Sequence, residues 1–291
     1  MIVVTAPTGR IGSKLLPLLA AQPDPLRIIA RDPEKLAPAD RERAELVAGS
    51  HRDPETVGAA FAGADTLFWL MPADRTATSP YEAYVTASIP AADAVVRHGV
   101  RRVVIVSALG RGTQLYGGHI SASHAMEDLF RSTGAHVRAL AMPSFMDNFL
   151  WQVPALAKGF ITGTLPADLR LPWVATKDIA SVAARYLLDH EWTGQQSVAV
   201  PGPEDLSLND IAATLTAMTG RTIRLEPGDR ERDLMTFVER GYSPAMAQGL
   251  LDMEIAAERG INALGPDVSR AETPTTFRRF AEESIVPALH G

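Results

Sequence analysis

The 291-residue chain has no cysteine, which excludes disulfides and thiolate metal sites and leads us to expect a cytoplasmic protein. It also lacks any surplus of positive charge. Against 34 Asp and Glu stand 28 Lys and Arg, a net charge of −6. No broad electrostatic footprint for nucleic acid is available, and we expect no nucleic-acid partner. No apolar run approaches the ~18 consecutive residues of a membrane span, so no membrane partner is expected. The first run, from Met1, has no basic residues before it and breaks at Pro7-Thr8-Gly9. It reads as a strand rather than a signal peptide. The seven histidines show no metal-ligand spacing, and no metal is expected. Repeats and low-complexity segments are absent too.

What the chain does have is a strand–helix rhythm. Short β-branched runs at 2–5, 26–30, 45–48, 66–71, 103–107 and 137–142 mostly lack polar alternation, as strands covered on both faces should. Helical patterns lie between them at 11–21, 54–61, 81–98 and 122–133. Such alternation implies an α/β fold with a parallel sheet and right-handed crossovers, most commonly the doubly wound Rossmann type. Beyond Asn148 the rhythm changes. "LPWVATKDIASVAARYLLD" reads as a loop entering a helix, and a return strand is expected near 196–201. Ser207 with Asp210 three residues later has the pattern of a capping box, and Gly220 ends that helix. After Arg221 we expect one short strand and two or three helices. The predicted division is a dinucleotide-binding part, 1–150, and a small, mainly helical C-terminal substrate subdomain, 151–291.

The stretch "VVTAPTGRIGSKLL" carries the first functional signal. A strand that ends in a glycine turn and opens a helix aims free N–H groups outward, where the helix dipole favours an anion. Gly9 would let a pyrophosphate approach, and Gly12 would let helix and strand pack closely. Ala6 stands where the motif's first glycine belongs, and serves there if its φ stays negative. At the end of the second strand an acid would bind two ribose hydroxyls, whereas an arginine suits a 2′-phosphate. Arg31 follows that strand immediately, with Lys35 a turn later. We therefore expect NADP(H), with NAD(H) less favoured; Asp32 keeps it open.

These residues, with "ARDPEKL", "FAGADTLFWLMP", "AADAVVRHGVRRVVIVSALG", "SHAMEDLFRSTGAHVRALAMPSFMDNFL" and "SLNDIAATLTAMTGRTI" in this order, resemble the NmrA-like group of atypical short-chain dehydrogenases/reductases. The resemblance runs over most of the chain. It implies that Ala6, Thr8, Gly9, Arg10, Ile11 and Gly12 form the pyrophosphate turn and that Arg31 and Lys35 meet the 2′-phosphate. Leu70, Met71 and Pro72 would border the ribose and nicotinamide, beside Pro143, Ser144 and Phe145. Ser107 would lie at a catalytic and cofactor-contacting position. Met146, Asn148 and Trp151 would reach into a substrate cleft, with Tyr116 nearby and Phe149 adding an apolar wall.

The departures are as informative. The usual catalytic pair in short-chain dehydrogenases is a tyrosine and a lysine four residues later. Counted back from the group's glutamate, at Glu127, those positions hold Ile120 and His124. His124 thus becomes the candidate catalytic group, able to donate a proton or to hydrogen-bond a ribose hydroxyl. The expected activity is NADPH-dependent hydride transfer to a conjugated acceptor such as a quinone, enone or dye. The alternative is a nucleotide-binding, redox-sensing regulator without catalysis. Either would act as a monomer or homodimer.

Overall fold

A computed structural model of the protein describes residues 1–290. The chain runs through β1 (Ile2–Val4), α1 (Gly12–Ala20), β2 (Leu26–Ala30), α2 (Pro38–Arg43), β3 (Glu45–Ala48), α3 (Pro54–Phe61) and β4 (Thr66–Trp69). It continues through α4 (Pro80–Tyr84), α5 (Ile89–His98), β5 (Arg102–Ala108), α6 (His119–Arg131) and β6 (His136–Met142). Next come β7 (Ser144–Phe145), α7 (Val153–Leu156), β8 (Phe160–Gly163), β9 (Leu171–Val174), α8 (Thr176–Leu188) and β10 (Gln195–Ala199). The remainder is β11 (Asp205–Leu206), α9 (Leu208–Thr219), β12 (Arg224–Pro227), α10 (Arg230–Glu239), α11 (Pro244–Glu258), α12 (Phe277–Phe280) and α13 (Val286–His290).

Seven strands form one sheet in the order β10-β6-β5-β4-β1-β2-β3, and every pairing in it is parallel. The order reverses between β1 and β4, the doubly wound Rossmann arrangement. Alternation along single strands covers both faces. Ile2 and Val4 pack with Leu15, Leu19, Ile179 and Leu187 of α1 and α8. Val3, between them, packs with Val57, Phe61, Val95 and Phe130 of α3, α5 and α6. Thus the strands read as continuous apolar runs because each side has its own helical layer.

The region after Met142 builds smaller units. β11, β9 and β7 form one three-stranded sheet, and β12 pairs with β8 in a two-stranded one. The capping box at Ser207 and Asp210 starts α9, and Gly220 ends it in the left-handed conformation at φ +65°. Three details differ from the sequence-based expectations, the first being that four helices, α10 to α13, follow Arg221 where two or three were expected. The helix expected at 81–98 is broken by a 3₁₀ turn at Thr86–Ser88, with Pro90 at the start of α5. Proline lacks the N–H that would continue the ladder through this point. Leu171–Val174, expected as a loop, is a strand, because β7 and β11 supply its partners.

Candidate active site

Ligands of open α/β sheets bind outside the carboxyl ends of the strands at the point of reversal, here the ends of β1 and β4. Buried Thr5 joins them. Its hydroxyl lies 3.1 Å from the Phe68 carbonyl and accepts from the Leu70 N–H at 2.9 Å. The chain then turns at Ala6, whose φ is +48°, the only non-glycine residue in the left-handed region among the described residues. The expectation of a negative φ is therefore corrected: the turn keeps its glycine geometry and forces alanine into it, at a cost of ~1–2 kcal/mol.

The two glycines that follow have different reasons. A Cβ on Gly12 would stand 2.2 Å from the Ala6 carbonyl oxygen and 2.8 Å from Pro7 backbone atoms, so helix and turn can meet only at glycine. A Cβ on Gly9 would meet one atom, the Ala6 carbonyl oxygen, at 3.2 Å, a tight contact but far milder than that at Gly12. Thr8 is exposed at the apex and Ile11 is buried in the core. No side chain caps α1 and its first turn holds no acid, whereas Asp53, Ser79, Ser207, Asp229 and Ser243 cap other helices. These features fit an anion held on backbone N–H groups.

At the end of β2, Arg31 is exposed and in no ion pair among the described residues, while Lys35 lies 3.5 Å from its neighbour Asp32. Beside them, after β3, sits His51, which sequence reasoning passed over. Burial, then the charges of Arg52 and Arg31, push its imidazole down to about 4. Arg52 ties the end of β3 to the loop after β4, pairing with Asp74 at 2.9 Å and donating to the Pro72 carbonyl at 3.0 Å. Pro72 is exposed, Leu70 half-buried, and Met71 packs into the core beneath them.

The β5–α6 side carries the catalytic candidates. The Ser107 hydroxyl donates to Oε2 of fully buried Glu127 at 2.9 Å. The other oxygen of Glu127 accepts from Arg131 Nε at 2.8 Å and from Ser197 at 2.6 Å. One hydroxyl has one proton, so with that proton on Glu127 Ser107 faces any ligand as an acceptor. His124, half-buried, has Nε2 3.0 Å from the Ala108 carbonyl. A carbonyl only accepts, so Nε2 carries a hydrogen, which in the neutral ring leaves Nδ1 as the lone-pair nitrogen. Ile120 is buried among Leu171, Ala256, Ala257 and Ile261. Tyr116 is exposed on the loop before α6, and partial burial and Asp252 push its phenol up.

The segment after β6 separates into inward and outward residues. Ser144 and Phe145 form β7 against Trp173 and Val174, with Pro143 buried before them. Met146 and Phe149, expected in the cleft, are buried in the C-terminal core with Trp173 and Phe277. Their period matched the apolar wall of either a cleft or a core, and the core took them. Asn148 is half-buried, and Trp151 is exposed. Asp147, which no motif singled out, is buried and accepts from the Thr176 N–H at 2.9 Å and hydroxyl at 2.6 Å, fixing the start of α8. Its carbonyl accepts from Arg10 Nη1 at 2.7 Å. The glycine-rich turn, the segment after β6 and α8 therefore meet at one residue.

Comparison with known proteins bears on the family and the fold. The chain is 28% identical over 285 residues to an NAD(P)H azoreductase of Xenophilus azovorans, covering 97% of this chain and 96% of that one. Its fold matches the Citrobacter sp. triphenylmethane reductase complexed with NADP(H) at a TM-score of 0.81, with 18% identity, over 97% of this chain and 99% of that one. It matches the NADPH-dependent quinone oxidoreductase of Escherichia coli complexed with NADPH at 0.80, with 19% identity and the same coverage. Residues 7–190 match the family described as NAD(P)H-binding, and the chain belongs to that family.

Proposed function

We propose that this NAD(P)H-dependent oxidoreductase prefers NADPH and reduces a conjugated small-molecule acceptor, such as a quinone, enone or dye, without a tyrosine–lysine pair. The observation that carries this reading is where the protons of the two catalytic candidates go. Ser107 donates to Glu127, and His124 donates from Nε2 to Ala108. With the Ser107 proton on Glu127 and the single N–H of a neutral His124 ring on Ala108, neither side chain then presents a proton to the product. When bound, NAD(P)H supplies the hydride. Reduction of an isolated ketone builds alkoxide charge that needs a positioned acid. A conjugated acceptor spreads that charge over its π-system, and water completes protonation. Ser107 and Nδ1 of His124 remain as acceptors that can orient a ribose hydroxyl or an amide. The azoreductase relative, similar over nearly the whole chain, supports an acceptor of this class.

Two measurements test the reading. NADPH oxidation should be detected with a quinone or dye panel and stay at background with simple ketones. Binding of NADPH without turnover of any panel member would replace it with the regulator. For the cofactor, exposed and unpaired Arg31 should make NADPH bind at least tenfold tighter than NADH, about 1.4 kcal/mol. Arg31→Ala should erase most of that difference; equal affinities in the unaltered protein would remove the 2′-phosphate assignment. The division at residue 150 is retained in this reading, with Thr176–Ala199 returning to complete the first part.

A further inference from the structure

We propose that Trp151 is a positioning residue for the cofactor, holding Arg10 over the glycine-rich turn so that its guanidinium meets the pyrophosphate. Trp151 is 72% exposed, the most exposed of the large apolar side chains, yet one face of its ring is occupied. The Arg10 guanidinium carbon lies 4.4 Å from the ring centroid. Arg10 belongs to the turn itself, and Nη1 donates to the Asp147 carbonyl at 2.7 Å. Among the described residues it has no carboxylate partner. A guanidinium has five N–H donors in one plane, so a stacked arginine with a single committed donor keeps the rest of its edge free for an anion.

The platform is itself anchored. The neighbouring Gln152 side chain donates to the Thr162 carbonyl at 3.1 Å and accepts from the Thr162 N–H at 2.7 Å. Ring and carbonyl together hold a long side chain in one place, so less freedom is lost when it grips a phosphate. This rests on the turn being the pyrophosphate site. It differs from the sequence-based assignment of Trp151 to substrate.

The test is equilibrium titration of NADPH and of 2′-AMP, which has no pyrophosphate, on five proteins: unaltered, Trp151→Leu, Trp151→Phe, Arg10→Ala and the double variant Trp151→Leu/Arg10→Ala. Trp151→Leu and Arg10→Ala should each weaken NADPH at least tenfold and leave 2′-AMP affinity unchanged. Trp151→Phe should keep most of the affinity. The double variant Trp151→Leu/Arg10→Ala should bind no worse than Arg10→Ala, since both changes remove one interaction. Thermal midpoints should barely move, because the ring is exposed. An unchanged NADPH affinity in Trp151→Leu overturns the proposal. If Arg10→Ala still weakens NADPH, the pyrophosphate turn stands and only the role of Trp151 fails. A raised KM for the acceptor with unchanged NADPH affinity likewise overturns it, assigning the ring to substrate stacking.

Discussion

At Ala6 a side chain occupies a backbone conformation suited to glycine. Ala6→Gly should relieve ~1–2 kcal/mol of left-handed strain while loosening the unfolded chain by ~0.4–1 kcal/mol. A net gain of roughly 0.5–1 kcal/mol in urea unfolding is expected. Gly12→Ala should fail to fold, because its Cβ would lie 2.2 Å from a backbone oxygen. Gly9→Ala should fold and melt near the parent temperature while losing at least tenfold in NADPH affinity. Normal binding by that variant would make the turn a structural connection only. The glycine pattern was legible in the sequence; the positive φ of Ala6 was not, since a residue with a Cβ rarely takes that conformation. His124 was legible as a residue, but its tautomer depends on a carbonyl sixteen positions away. His124→Ala should lower turnover by less than about tenfold, below the ~10²-fold or more of a general acid. A loss of that larger size would restore the imidazole as proton donor.

Helix α11 meets α6 where two glycines touch. A Cβ on Gly118, at φ +53°, would lie 2.2 Å from the Gly249 carbonyl oxygen, and the His119 ring donates from Nε2 to the Met246 carbonyl at 3.0 Å. Gly118→Ala should separate the two helices and increase protease cleavage within 229–260, while the central sheet stays protected. Equal cleavage rates in variant and parent would show the contact to be dispensable. Elements with their own local signals were readable from sequence: the six early strands, the box at Ser207 and the stop at Gly220. The elements missed were those decided by partners distant in the chain. β9 exists because Asp205–Leu206 and Ser144–Phe145 pair with it. Phe149 is core because Trp173 and Phe277 pack on its ring, and Met146 is buried in the same cluster.

Across the whole molecule, the chain leaves the main sheet after β6 and comes back. α8 packs its Ile179, Ala183 and Leu187 in one cluster with Leu15 and Leu19 of α1, and β10 adds the last strand. A chain ending at residue 150 lacks this layer and should not melt cooperatively when expressed alone. A sharp melting transition would show the first part to be autonomous. Acid should weaken the intact protein through His51. Its imidazole lies at about 4 in the fold against an ordinary 6.5. Between those values the unfolded chain takes up a proton that the folded one refuses. Stability should therefore fall as pH drops from about 6.5 to 4, by at most ~3 kcal/mol, and be flat above. Buried His119, also pushed down by burial, acts with the same sign. Urea midpoints at pH 7 and 4.5 should differ less in His51→Phe, which also removes the unpartnered buried Nε2. An unchanged pH dependence in that variant would place the acid sensitivity elsewhere.

Asp147 sets a rule for anyone who wishes to re-engineer this scaffold. Its carbonyl takes Arg10, its carboxylate takes both polar groups of Thr176, and Lys14 approaches it at 3.5 Å. Exchanging residues 6–12 for another protein's loop would leave a receptor without its plug, although the transplanted segment looks self-contained. The exchangeable unit is discontinuous: the loop, Lys14, Asp147 and Thr176 must travel together. Libraries aimed at cofactor choice are better confined to the ends of β2 and β3, where Arg31 stands apart from that junction.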